Sequence, residues 1–375
     1  MQYYLAPMEG ITTYIYRNAH ARYFGGIDKY FTPFISDKNF ITDKNIASTE
    51  NTAYDGRISA ADNSSRSIKK NSPANKSINP RELRDILPEN NAGIPLVPQV
   101  LTNHAGRFLA VADKIASYGY DTVNLNLGCP SGTVTAKKRG AGFLSVPDDL
   151  DAFLYEIYEK CPLKISIKTR LGVSDLAEWD RLLDIYAKYP IHELIIHTRL
   201  QQEFYTGMTH PEAYAKAALR LRAAGTADQI PLCYNGDIVS AESLNATVSA
   251  VNHGATHMDR IMIGRGIIQN PSLAVNLQLS HSDVTACGSN EIIPPSDHAA
   301  SKEIWRAFHD EILEGYIQIM SGDSPVLFKM KDLWTYMSHS FSNYEKYLKK
   351  IRKANRIAEY ISAVDRLFNE QEILN

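Results

Sequence analysis

Cys129 stands where a strand ends and a polar loop begins. Residues 124–144 read NLNLGCPSGTVTAKKRGAGFL. Thr122, Val123 and Leu125 are β-formers that follow a turn glycine, Gly119. The run breaks at Gly128-Cys129-Pro130. Proline pushes the residue before it out of helical geometry, so Cys129 is expected in an extended or turn conformation just past the strand end. Lys137, Lys138 and Arg139 follow among glycines, with no apolar period. A thiol above a strand, next to cations and flexible backbone, fits a reactive group beside an anionic ligand. A small core cysteine under a solvated basic loop fits the same residues, because free cysteine is commonly a packing residue.

Other polar residues recur at the ends of apolar runs. Gln99, Asn126, Lys168 and His197 close four successive ones. One such residue is unremarkable, and Lys168 alone would read as an ion pair and His197 alone as a hydrogen-bonded structural histidine. Four at successive strand ends converge on one site if the strands form a barrel. The last two runs end in NGDI (Asn235, Gly236, Asp237, Ile238) and GRG (Gly264, Arg265, Gly266). Glycines let backbone N–H groups approach a phosphate, and Arg265 offers it a fork of donors. A phosphorylated cofactor is therefore expected, with two glycine turns and a surface arginine as the alternative.

The elements that must position these groups alternate. Eight β-rich runs (3–6, 29–35, 95–101, 121–127, 163–169, 193–198, 231–235 and 260–264) are separated by amphipathic stretches such as 105–118, 150–160, 176–189, 211–223 and 241–253. That alternation predicts an α/β fold, a (β/α)8 TIM barrel. A doubly wound open sheet competes, but no early GxGxxG is present. Residues 46–79, rich in Ser, Asn, Ala and Lys, read as a flexible insertion on the active-site face of the barrel. Arg66, Lys69, Lys70 and Lys76 leave it open to RNA, though long insertions are tolerated without a role. After about Ser280 a linker precedes a small helical domain, so the expected domains are 1–283 and 296–375. Between Lys329 and Arg366 there are nine Lys or Arg against four Asp or Glu, several of them on YLKKIRKANR. With Trp334, Tyr336, Tyr344 and Tyr347 interleaved, RNA contact competes with a solvated face.

The 375 residues suffice for one large barrel plus a smaller unit, and the net charge of −2 excludes a globally basic nucleic-acid binder. Four cysteines lie far apart, which argues for a reduced, cytoplasmic protein without a metal site. Neither a signal peptide nor a membrane-spanning run is read in the sequence.

Seven motifs in order, APMEG at 6–10, PQV around Gln99, NLNLGCP with AGFL downstream, IKTRLG at 167–172, HTR at 197–199, YNGDI and MIGRG, resemble the tRNA-dihydrouridine synthase family. The GCP motif with its AGFL segment is specific, and the phosphate glycines are shared with other FMN barrels. FKMKDLWTYM resembles the start of that family's helical RNA-binding domain more weakly. Thr13 stands where many members have Asp, and Leu200 and Gln201 follow HTR where Thr and a basic residue are common.

The resemblance implies FMN at the barrel mouth, NADPH as reductant and a uridine of tRNA as substrate; a monomer is expected besides. It implies that Pro7, Met8 and Glu9 lie at the flavin and that Gln99, Lys168 and His197 bond its ring. Asn235, Gly236, Asp237, Gly264 and Arg265 would hold the ribityl phosphate end. Asn126 would bond the uracil edge, Cys129 would act as general acid, and Arg199, Lys137, Lys138 and Arg139 would contact the substrate. The competing expectations are an FMN barrel acting on a free pyrimidine, like dihydroorotate dehydrogenase, and an RNA-binding relative without catalysis.

Overall fold

A two-residue period decides the architecture. In β6 (Thr122–Leu127), Val123, Leu125 and Leu127 share one face and Asn124 and Asn126 the other. In β7 (Lys164–Arg170), Ile165, Ile167 and Thr169 alternate with Ser166, Lys168 and Arg170. Successive side chains of a strand point to opposite faces. Each strand thus has an apolar face that must be covered and a polar face that must find partners. A computed structural model, which describes residues 1–37, 78–225, 230–252, 257–282 and 301–374, packs the apolar faces under helices and turns the polar ones into the lumen of a parallel barrel.

The barrel closes through two interrupted strands. β1 (Gln2–Leu5) pairs with β10 (Arg260–Ile263) and with β2 (Lys29–Phe31). β2 pairs with β4 (Leu96–Val97), while β3 (Ile35–Ser36) pairs with β5 (Gln99–Leu101). β5 continues to β6 and β7, then to β8 (Glu193–His197) and β9 (Leu232–Asn235), which returns to β10. β2 and β3 are halves of one strand broken around Pro33, and β4 and β5 halves of another broken at Pro98. Proline has no N–H to give to a ladder. The ten segments are therefore eight strands in a ring, the expected (β/α)8 barrel.

The lumen is layered. At the floor Tyr4 Oη donates to Glu193 Oε1 at 2.7 Å, and Lys29 Nζ lies 3.1 Å from the same carboxylate. Tyr4, Ala6, Phe31, Val97, Ile195, Cys233 and Met262 form an apolar middle. The polar strand ends stand above it.

Helices cover the outside. Among the described residues the barrel helices are α1 (Tyr14–Tyr23), α2 (Pro80–Arg84), α3 (Ala105–Ser117), α4 (Gly132–Thr135), α5 (Pro147–Lys160), α6 (Glu178–Tyr186), α7 (Pro211–Ala223), α8 (Ala241–Asn252), α9 (Arg265–Gln269) and α10 (Leu273–Ser282), of which the short α4 and the start of α9 lie at the mouth instead. α5 shows the logic: Pro147 opens it, Asp148 and Asp149 suit the positive end of the dipole, and Leu150, Phe153, Leu154 and Ile157 make the buried stripe.

The chain ends in α11 (Lys302–Ile319), α12 (Asp323–Met337), α13 (Glu345–Lys353) and α14 (Ile357–Glu370). These helices share a continuous apolar core with the barrel. Phe24, just after α1, meets Trp305 and Phe308 edge-on, Thr13 Oγ1 lies 3.0 Å from Tyr316 Oη, and Lys329 Nζ donates to the Gly10 carbonyl at 3.0 Å. The expected exposure of Trp334 and Tyr347 is corrected: both are core residues, and the Trp334 indole donates to Tyr360 Oη at 2.7 Å. Of the 46–79 segment only Ile78, which is buried, and Asn79, which caps α2, fall among the described residues; Arg66, Lys69, Lys70 and Lys76 lie outside them, as does 283–300 of the expected linker. Among the described residues no helix is long and apolar enough to cross a membrane, and no cluster of His, Cys, Asp or Glu is arranged to hold a metal.

Arg17 locks α1 to the segment after α2. It is fully buried, donates to the Thr12 and Asp85 carbonyls and to Asn91 Oδ1, and lies 3.6 Å from the Asp85 carboxylate. Arg17→Met should lower unfolding free energy by about 3–5 kcal/mol, because it strands a buried carboxylate. Urea denaturation checks this; a loss within about 1 kcal/mol would show that the lock is dispensable.

Candidate active site

A cavity of about 650 Å³ opens at the C-terminal ends of the strands, a size suited to a small-molecule ligand. Pro7, Met8 and Glu9 enter from the loop after β1, and Gln99, Asn126, Lys168 and His197 from the strands. Asn235, Gly236 and Asp237 line it after β9, Gly264 and Arg265 after β10, and Cys129 beyond β6. Barrel register explains the convergence: Asn126 pairs with Lys168 across β6 and β7, and His197 with Asn235 across β8 and β9.

The Asn126 amide organises one wall. Its Nδ2 donates to Gln99 Oε1 at 2.7 Å, and its Oδ1 accepts from the Gly128 and Cys129 amides, each at 3.0 Å. Gln99 Nε2 in turn donates to Asn124 Oδ1, and Asn124 Nδ2 to Ser166 Oγ, both at 2.8 Å. The turn carrying the thiol is thus bonded directly to the strand below it. From the other side Arg170 Nε donates to the Gly128 carbonyl at 2.9 Å. Gly140 closes over the thiol with φ of 54°; a Cβ there would lie 2.8 Å from the Cys129 carbonyl oxygen. Only glycine suits both demands.

Burial sets the protonation states. It pushes the Cys129 thiol up from its ordinary value, with Arg170 and Lys168 pulling weakly the other way, so the group stays a protonated thiol at neutral pH. Burial also lowers the Lys168 ammonium to about 7, and Arg170 beside it acts in the same direction. Lys168 Nζ donates to Asn235 Oδ1 at 2.8 Å, a neutral partner that leaves its charge uncompensated. His197 is held well below its usual value by burial and then by Arg170, Lys168, Arg199 and Arg265, so its imidazole is neutral. Burial opposes the ionisation of Asp237, yet Arg199 and Arg265 hold it below the usual carboxylate range. Such a cluster has the chemistry to accept an electron-rich or anionic ligand and to give up a proton from the Cys129 thiol.

The four cations expected to contact the substrate lie outside the cavity lining. Arg199 is buried and donates to Asp237 at 3.0 Å and to the Gly207 carbonyl at 2.7 Å. Arg139 turns toward Asp37, and Lys137 and Lys138 are exposed beside it; none of these four lines the cavity. Arg265 shares Asp237 and donates to the Tyr205 carbonyl at 3.0 Å.

The wall also includes Phe34, Phe204, Tyr205 and Tyr336, which sequence reasoning did not place there. Tyr336 comes from α12, and no local signal links it to the barrel mouth. Arg170 was missed as well, though a signal existed: Ser166, Lys168 and Arg170 share a parity, so a lumen-facing lysine implies a lumen-facing arginine. Its guanidinium lies 5.3 Å from the Tyr205 ring centre, within cation–π range.

Residues 73–374 match the family described as dihydrouridine synthase (Dus). A protein of Staphylococcus epidermidis named "Probable tRNA-dihydrouridine synthase" is 26% identical over 267 residues, covering 71% of this chain and 69% of the relative. A relative of the same name from Staphylococcus aureus is 27% identical over 267 residues, 71% of this chain and 68% of its own. In Bacillus subtilis, "Probable tRNA-dihydrouridine synthase 2" is 31% identical over 177 residues, 47% of this chain and 52% of its own.

Lys168 should behave as a neutral amine at a pH where surface lysines are charged. In ligand-free protein its acylation by an amine-reactive ester should rise through pH 7 and run ahead of the exposed lysines at pH 8. Peptide mapping by mass spectrometry checks this. Labelling only in step with surface lysines, whose ordinary pKa is near ~10.4, would contradict the lowered value.

Proposed function

The chain belongs to the dihydrouridine synthase family, and on that premise we propose that it reduces the C5–C6 double bond of a uridine in tRNA to 5,6-dihydrouridine. The observation that carries this reading is a half-buried, protonated thiol and a desolvated lysine facing one cavity, Cys129 and Lys168. A thiolate nucleophile needs the opposite environment, a lowered pKa.

FMN fits the residues present. Among the described residues the lysine has no anionic partner, the neutral His197 and the Gln99 amide offer hydrogen bonds to a heteroaromatic edge, and Gly236, Gly264 and Arg265, which line the same cavity, would hold a ribityl phosphate. Pro7 and Met8 provide apolar contact and Glu9 the rim. Once reduced by NADPH, the flavin would supply the hydride that reaches C6 of the uracil ring. The protein supplies the rest. Lys168 stabilises negative charge on the ring system it faces. Asn126 keeps one amide hydrogen free of Gln99 and can give it to a uracil carbonyl. Cys129 transfers its proton to C5, and the resulting thiolate is reprotonated from solvent. The base must leave its stack to reach this depth, and Phe204, Tyr205 and Tyr336 offer aromatic surface at the rim.

The proposed RNA-binding face lies on α13. Lys349, Lys350, Arg352 and Lys353 are exposed and have no ion-pair partner among the described residues, while Tyr347, Leu348 and Ile351 anchor the opposite face. Lys137 and Lys138 extend a second exposed basic strip beside the cavity.

The direct test is whether the purified protein is yellow and forms dihydrouridine in tRNA with NADPH. A protein that neither carries nor binds FMN would overturn the cofactor assignment, and reduction of free orotate but not tRNA would favour the free-pyrimidine alternative. Cys129→Ala should retain FMN and its reduction by NADPH while losing about 10²–10⁴-fold in tRNA turnover, the usual worth of a general acid. Near-normal turnover would mean that another group gives the proton. Replacing Lys349, Lys350, Arg352 and Lys353 by Gln should weaken tRNA binding and flatten its salt dependence by up to about 0.9 in log–log slope for each phosphate no longer neutralised. FMN content should not change. An unaltered affinity and slope would move the RNA to another surface.

A further inference from the structure

Asp37 follows β3 and does not line the cavity, yet its carboxylate is wholly buried. Arg139 Nη1 lies 2.8 Å from Oδ1, and Arg139 Nη2 donates to Oδ2 at 3.3 Å. Thr102 Oγ1 donates to Oδ2 at 2.7 Å, and Arg107 Nη1 approaches it at 3.4 Å. Arg139 Nε also reaches Asn103 Oδ1 at 3.4 Å, and Asn103 Nδ2 donates to the Lys137 carbonyl at 3.2 Å.

Arg139 sits in the segment that folds back over the thiol. Ala141 N donates to the Cys129 carbonyl at 3.0 Å, and Gly140 leaves no room for a Cβ between itself and Cys129. Lys138, just before Arg139, has φ of 50°, a conformation that costs energy in a residue with a Cβ. Such strain persists only where surrounding contacts over-determine it. The Asp37–Arg139 pair is a buried, charge-assisted contact of that kind, made to a residue directly after β3 rather than to the loop itself.

We propose that Asp37 is a positioning residue for Cys129: through Arg139 it holds residues 131–142 closed over the thiol and fixes the proton donor in its sheltered place. The catalytic part of this inference rests on the reading of Cys129 as the general acid; the positional part does not. Loss of the carboxylate leaves Arg139 and Arg107 facing each other without their counter-ion, and the segment opens.

Two readouts test it on the purified full-length protein. Iodoacetamide alkylation of Cys129 at pH 8, followed by peptide mapping, should be roughly tenfold faster in Asp37→Asn and in Arg139→Gln, since one buried charge-assisted bond corresponds to about a decade in an opening equilibrium. The double variant should be no faster than either single one, and Arg139→Lys should recover part of the shelter. In steady state both single variants should lower kcat on tRNA roughly tenfold with KM within about twofold, and flavin reduction by NADPH should not change. A purely architectural role would lower the melting temperature and leave alkylation well below it unaltered; that result overturns the proposal, as do additive effects in the double variant. If Asp37→Asn does not fold, Arg139→Gln decides by the same measure. If wild-type protein shows no tRNA activity, the reading of Cys129 fails while alkylation still decides whether Asp37 places it.

Discussion

One side-chain amide sets the geometry of the barrel mouth. Asn126 accepts from the Gly128 and Cys129 backbone amides and donates to Gln99, which is itself fixed by Asn124 and Ser166. Each bond dictates the orientation of the next, because an amide turned over would set donor against donor in a buried place. The chain runs from the lumen of β7 up to the thiol, so the turn carrying Cys129 inherits the rigidity of the strands. A loop residue is thereby placed almost as firmly as a strand residue, as the proposed role of proton donor requires.

Around that frame, burial rather than pairing assigns the charges. Lys168, Arg170, Arg199 and Arg265 crowd His197, and the imidazole answers by staying neutral. Lys168 answers by a lowered pKa and Cys129 by a raised one. The three are complementary: a cation held at the edge of deprotonation gains from an anionic ligand, and a thiol kept from ionising is ready to give its proton. Asp237 is the carboxylate through which Arg199 and Arg265 are held, so the two guanidiniums keep their positions in a positive environment.

The terminal helices belong to this arrangement rather than beside it. Their core is continuous with that of the barrel through α1, and α12 sends Tyr336 to the cavity and Lys329 to the Gly10 carbonyl. Thr13, where family members often have Asp, meets Tyr316 of α11. The exposed basic face of α13 and the cavity are therefore tied by the same helix bundle.

Much of this was legible in the sequence alone. Alternation of β-runs with amphipathic stretches implied the eight-stranded barrel, and Pro130 after Cys129 placed the thiol beyond a strand end, because both signals lie between near neighbours in the chain. The period-2 parity that exposes Lys168 to the lumen applies equally to Arg170, which was not singled out from the sequence. What the chain could not declare was anything that depends on a partner far away in sequence. The strand breaks at Pro33 and Pro98 could be resolved into a closed ring only by cross-strand register. Nothing near Arg139 in the chain pointed to Asp37, 102 residues earlier, as its ionic partner. Trp334 and Tyr347 looked like RNA-stacking surface until α14 covered them. Propensity, parity and turn chemistry are local and readable one residue at a time, whereas the partner of a buried charge or ring is chosen by packing between elements that only the closed barrel and its helices bring together.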